Sequence, residues 1–95
     1  MNINIRTTMG LKKAIGQARI RMTVAEGETV AGLLDLLTTK WGDELASQLF
    51  EPGGRVPRSS VMLMVNGRSV QFLNQLDTVL KDGDEVTILP PVGGG

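Results

Sequence analysis

The stretch "LKDGDEVTILPPVGGG", residues 80–95, decides how the rest of the chain is read. Asp82-Gly83-Asp84 is a tight turn, since glycine between short acidic side chains accepts the backbone geometry a turn demands. From Glu85 to Leu89 the side chains alternate, Val86 and Ile88 to one side and Thr87 and Leu89 to the other, which is the period of a strand. Pro90 and Pro91 fix φ and lack an N–H, so they end the strand and stiffen its exit. Three glycines follow Val92, and fully extended they span about 10 Å. Without Cβ atoms such a segment fits a narrow channel in another protein. The reading that follows is that the carboxylate of Gly95 is the working group and that the rest of the chain presents it. The competing readings are a disordered end or an added tail.

Upstream, "VMLMVNGRSVQF" (61–72) pairs an apolar run with Asn66-Gly67, the favoured dipeptide where both turn residues need positive φ, and then a second short strand. Val61, Leu63 and Val65 share one face, Met62 and Met64 the other. Residues 73–79 read as a loop or short helical turn. "EPGGRVPRSS" (51–60) reads as loop. Its glycine pair beside Arg55 and Arg58 admits an anion-binding nest, but no strand leads into it and no phosphate-loop Lys-Ser/Thr follows, so a solvated connection is the commoner case.

The best-formed helix signal lies between the two halves. Thr29 is a candidate N-cap with Glu26 and Glu28 nearby, Val30, Leu33, Leu34, Leu37 and Trp41 recur at helical spacing, and Gly42 stops the run. Leu45 and Leu49 in "DELASQLF" suggest a short second helix. "NINIRT" (2–7) and "ARIRMTV" (18–24) alternate as half-buried strands. The connection "MGLKKAIGQ" (9–17), with Gly10 and Gly16, is expected to be the long turn of an antiparallel hairpin. The order predicts an α+β fold, a mixed sheet of about five strands covered by one main helix. If the last strand lies beside the first, the two must be parallel. One domain over 1–92 with a flexible glycine tail at 93–95 is expected.

A chain of 95 residues is large enough for one core. It has no Cys and no His, which excludes a thiolate nucleophile, an imidazole base and a Cys/His zinc site. Asp82, Asp84 and Glu85 are the remaining acid/base candidates, and a solvated turn explains them better than catalysis. The chain is therefore not expected to be an enzyme or to bind a metal. Formal net charge is zero, yet Arg6, Lys12, Lys13, Arg19 and Arg21 all precede the first acid, Glu26. Such a segment could steer an acidic partner or nucleic acid, or simply solvate two strands. Nucleic-acid binding is not expected given the charge balance and few aromatics. No leader pattern or membrane-length apolar run is visible, so a cytoplasmic protein without membrane contact is expected.

The order of elements, the "VNGRSVQF" hairpin, the "LKDGDEVTILPPVGGG" ending and Gly94-Gly95 resemble the ubiquitin-like sulfur carriers (the MoaD/ThiS-like family), which include the small subunit of molybdopterin synthase and the thiazole-biosynthesis sulfur carrier. The resemblance is specific from about Val65 onward. It implies a β-grasp fold whose Gly95 carboxylate is adenylated by an E1-like enzyme using ATP and Mg²⁺, with no cofactor bound by the chain itself. A sulfur donor protein then leaves a thiocarboxylate at Gly95 for a downstream sulfur-accepting enzyme, such as a molybdopterin synthase large subunit. Gly94 and Gly93 would thread the partner's channel, and Leu89 corresponds to an apolar contact residue of the family. If the helix covers the Val61/Leu63/Val65 face, Met62 and Met64 extend Leu89 into an exposed apolar patch. The alternative is that they pack under the 51–60 loop. Extra residues around 43–60 favour a molybdopterin-synthase-like carrier over the thiazole type, and a third glycine departs from many members. Two further functions stay open: a ubiquitin-like modifier joined through Gly95 to target lysines, and a non-conjugating β-grasp interaction domain with an inert tail.

Overall fold

The structure, a computed structural model, describes residues 1–53 and 56–90. The Gly54 and Arg55 part of the nest considered above, the 92/93 domain boundary and the tail residues Gly93, Gly94 and Gly95 lie outside the described residues. In chain order the elements are β1 (Asn2–Thr7), α1 (Met9–Ile15), β2 (Arg19–Thr23), α2 (Val30–Trp41), α3 (Asp43–Leu49), β3 (Met62–Val65), β4 (Arg68–Ser69) and β5 (Glu85–Leu89), with 3₁₀ turns at Val70–Phe72 and Gln75–Asp77 before β5.

The sheet has five strands in the order β2-β1-β5-β3-β4. Only β1 and β5 run parallel, and β5 pairs antiparallel with β3 on its other side. The parallel pair forms because the chain leaves β2, crosses through α2 and α3 to the β3–β4 hairpin on the far side, and returns from the edge strand β4 into the centre. This is the β-grasp arrangement: a mixed sheet with its last strand beside its first.

Alternation sets which face is buried. Ile3, Ile5, Leu63, Val65, Val86 and Ile88 point inward and are almost fully buried, as are Val30, Leu33, Leu34 and Leu37 of α2. Each such side chain contributes about 1.5–3 kcal/mol on leaving water. The α2 start is fixed as its sequence suggests: Thr29 is extended and its hydroxyl accepts from Gly32 N–H at 3.2 Å. Leu80 N–H donates to the Glu28 carbonyl at 2.8 Å and Val30 N–H to the Thr78 carbonyl at 3.0 Å, which ties the helix entry to the segment leading into β5.

The expected long turn after β1 is instead helix α1, and this corrects the sequence reading. Leu11 and Ile15, four residues apart, are buried, Lys12 and Lys13 face water, and Gly16 closes the helix in the left-handed region with its N–H on the Lys12 carbonyl at 2.7 Å. A Cβ at Gly10 would lie 2.5 Å from the Gln48 oxygen, the movable end of a flexible side chain on α3, against which α1 packs. The β1–β2 pair is antiparallel as expected.

Candidate functional site: the outer sheet face and the exit of β5

The inner face of the sheet is covered by helices, so the outer face and the end of β5 are where chemistry or recognition can occur. Two interlocked turns hold β5 in place. Asn66 and Gly67 have φ of 52° and 81°, the positive pair that closes a tight hairpin. The Asn66 side chain donates to Asp84 Oδ1 at 2.8 Å and accepts from Glu85 N–H at 2.9 Å. Asp84 Oδ2 accepts from Lys81 N–H at 2.8 Å, and Asp82 Oδ1 accepts from Asn2 N–H at 2.7 Å. The carboxylates of Asp82 and Asp84 are therefore hydrogen-bond acceptors in turns that set the β1–β5–β3 register. Pro90, next to the strand end, is buried.

Residues directly opposite one another share a face. One row on the outer face runs Arg19, Arg6, Thr87, Met64, Ser69 across all five strands, and a neighbouring row pairs Leu89 with Met62. Met62 is 51% exposed, while Met64 and Leu89 are half-buried. The three predicted patch residues thus stand together near the C-terminal end of β5, and Met62 is not covered by the loop before β3. Met62 also borders a shallow depression of about 160 Å³ with Ser59, Ser60, Ser69 and Gln71. Gly93, Gly94 and Gly95 lie outside the described residues.

Two surface features were not singled out from the sequence. Phe72, in the 3₁₀ turn after β4, is 80% exposed. The sequence reading placed it in the second strand of the 61–72 hairpin, but that strand ends at Ser69, and the turn that follows buries Val70 and leaves Phe72 in water. Arg6, Arg19 and Arg21 gather on the basic side of the outer face around a depression of about 310 Å³ shared with Asn4 and Glu85. The charge segregation was legible in the sequence, but the strand register that brings these three together was not. Among the described residues no group of three or more Asp, Glu, His or Cys could hold a metal ion, and no helix is long and apolar enough to cross a membrane.

A small mixed sheet with a central parallel pair, a covering helix and a glycine run following the central strand defines a ubiquitin-like β-grasp protein. The chain belongs to the ThiS family, whose sequence model matches residues 15–95. It is 36% identical to small archaeal modifier protein 3 of Haloferax volcanii over 95 residues, the whole of both chains. It is 36% identical over 73 residues to the sulfur carrier protein CysO of Mycobacterium tuberculosis, covering 75% of this chain and 76% of that one. Among solved structures it superposes on a chain of the Amycolatopsis orientalis BexX/CysO complex with a TM-score of 0.75 and 26% identity, covering 98% of this chain and 99% of the other. The family is thus one of small sulfur carriers and ubiquitin-like modifiers.

Proposed function

We propose that this chain is a sulfur carrier whose working group is the Gly95 carboxylate. An E1-like partner would transfer AMP from Mg²⁺-bound ATP to that carboxylate, releasing pyrophosphate and exchanging a poor leaving oxygen for a good one. A sulfur donor protein then attacks the acyl carbon and AMP departs. A persulfide donor gives an acyl disulfide, which a thiol cleaves to the thiocarboxylate. The carrier supplies no side-chain catalyst to these steps: Gly93 and Gly94 let the end enter the partner's site, and Leu89, Met62 and Met64 give that partner an apolar surface. A sulfur-accepting enzyme is the final partner, of the molybdopterin-synthase kind or one serving another sulfur metabolite.

The observation that carries the reading is the place of β5. Hydrogen-bonded on both sides and pinned at its start by Asn66 and Asp84, it ends in the middle of the sheet beside exposed Met62, and residues 91–95 follow it in the sequence. The match to a sulfur carrier over three quarters of the chain supports the same reading. The full-length match to an archaeal modifier favours a second one, in which adenylated Gly95 is passed to a lysine amine and an isopeptide bond forms.

Intact-protein mass spectrometry on the chain isolated from its native host separates them. A mass gain equal to replacing one oxygen by sulfur, absent when Gly94 and Gly95 are deleted, is expected for the carrier. Lysine-linked adducts with no thiocarboxylate would favour the modifier. An unmodified carboxylate without adducts would leave the inert-tail interaction domain.

A further inference from the structure

On the antiparallel β1–β2 pair, Arg6 and Arg19 are direct cross-strand partners, and Arg21 lies opposite Asn4 in the adjacent row of the same face. Like charges placed directly opposite destabilise a sheet. All three are exposed, and none has a carboxylate within ion-pair distance among the described residues. Arg21 Nε donates a long hydrogen bond to Asn4 Oδ1 at 3.4 Å. Charge on an edge strand guards against edge-to-edge pairing, which accounts for Arg19 and Arg21. It does not account for Arg6, which sits on an interior strand between Arg19 and Thr87.

The position of this basic ledge relative to the exit of β5 follows from strand geometry. Arg6 pairs with Thr87, one strand step from β5 and two residues before Leu89. With strands about 4.8 Å apart and about 3.3 Å per residue, its Cα is roughly 8 Å from that of Leu89. A protein that takes in the tail and covers Leu89 therefore meets the arginines on one side and Met62 and Met64 on the other. A nucleic acid is the poorer fit, because Glu85 borders the same depression and the aromatic residue that shares a depression with Arg19 and Arg21, Trp41, lies past the β2 edge with the Lys40 ammonium 5.0 Å from its ring centroid.

We propose that Arg6, Arg19 and Arg21 dock this chain onto an acidic surface of the enzyme that adenylates Gly95. The proposal rests on the activation reading above, and that enzyme is the partner which the carrier and modifier readings both require. The ledge tolerates its own repulsion because the acidic surface neutralises it in the complex. Its role is electrostatic steering and register, which acts on encounter more than on the reaction.

The test is ATP–pyrophosphate exchange with the purified adenylating enzyme of the same host, titrating intact chain at several salt concentrations. Wild type is compared with Arg6→Ser/Arg19→Ser, with the charge-reversed Arg19→Glu/Arg21→Glu, and with a Gly95 deletion. Removing Arg6 and Arg19 is expected to raise KM for the carrier about tenfold at low salt with kcat near the wild-type value, and to flatten the rise of KM with salt. Charge reversal raises KM further. The serine variant melts no lower than wild type, because it removes a repulsive pair, so a misfolded carrier is not mistaken for lost docking. Exchange by wild type with unchanged KM and salt dependence in both arginine variants overturns the ledge and leaves the activation reading intact. No exchange by wild type overturns the activation reading, and the ledge with it.

Discussion

Replacing Asp84 with alanine isolates the contacts that hold β5 in register. Its two oxygens accept from Lys81 N–H and from the Asn66 amide, each at 2.8 Å, and Asn66 in turn receives Glu85 N–H at 2.9 Å. Asp84 is half-buried, so water replaces part of what is lost, and each bond falls below the roughly 1.5–3 kcal/mol of a hydrogen bond to a charged group. Two bonds at somewhat under 1 kcal/mol each give a loss of about 1.5 kcal/mol. For a domain of 95 residues, at about 4–8 °C per kcal/mol, the melting temperature should fall by about 6–12 °C. Asp84→Asn retains one acceptor oxygen but turns its NH₂ toward a donor, so it should recover no more than half of that loss. Combining Asp84→Ala with Asn66→Gly, which keeps the positive φ accessible, should cost less than the sum of the single changes, because the two side chains share a bond. Thermal melts followed by circular dichroism measure these four variants, the Asn66→Gly single change included, against wild type, and amide exchange at Glu85 in Asp84→Ala should accelerate ahead of the α2 core. A melting point for Asp84→Ala within about 2 °C of wild type, with unchanged exchange at Glu85, would refute the claim that these turns pin the strand.

Other substitutions probe separate links. Thr29→Ala removes the hydroxyl that caps α2 at Gly32 N–H and should destabilise the fold by about 1 kcal/mol, read from a denaturant midpoint at unchanged slope. Met9 is 62% exposed with φ of 54°, so Met9→Asn, better suited to the left-handed region, should stabilise by roughly 0.5–1 kcal/mol in the same assay. Met62→Ser should change stability by less than about 0.5 kcal/mol, since the side chain is 51% exposed. In pyrophosphate exchange it should nevertheless raise KM for the carrier several-fold, and a large loss of stability instead would mark Met62 as a packing residue. Leu37→Ala, fully buried on α2, should cost about 2–5 kcal/mol and set the scale for the core.

The elements legible from sequence were those whose signals are local and redundant. β5 has alternation, an upstream glycine turn and a downstream proline, and α2 has a capping threonine, an apolar stripe and a stopping glycine. α1 lacks such redundancy: Thr8 makes no side-chain cap bond, the first turn contains no acid, Met9 starts at positive φ and Gly10 follows. Its signal reduces to Leu11 and Ile15, and the contact with α3 through Gly10 and Gln48 is a tertiary fact. Sequence-level propensity is a weak guide for a helix of seven residues whose stability comes from its neighbours.

The candidate site divides along the same line. The membership of Met62, Met64 and Leu89 on one face follows from parity within β3 and β5, and parity is visible in sequence. That Met62 pairs with Leu89, and Arg6 with both Arg19 and Thr87, depends on register, and the connections between those strands are too long for their lengths to fix it. A shift of one residue in β1 would turn Ile3 and Ile5 outward and the arginine inward, so burial of the isoleucines fixes where Arg6 points. The same hydrophobic term that stabilises the core therefore positions the basic ledge. β5 lies between β1 and β3, so the launch point of the tail has a cationic flank on one side and a thioether flank on the other. A partner that reads only the glycines would leave both flanks in water, whereas one that covers Leu89 must be complementary to both.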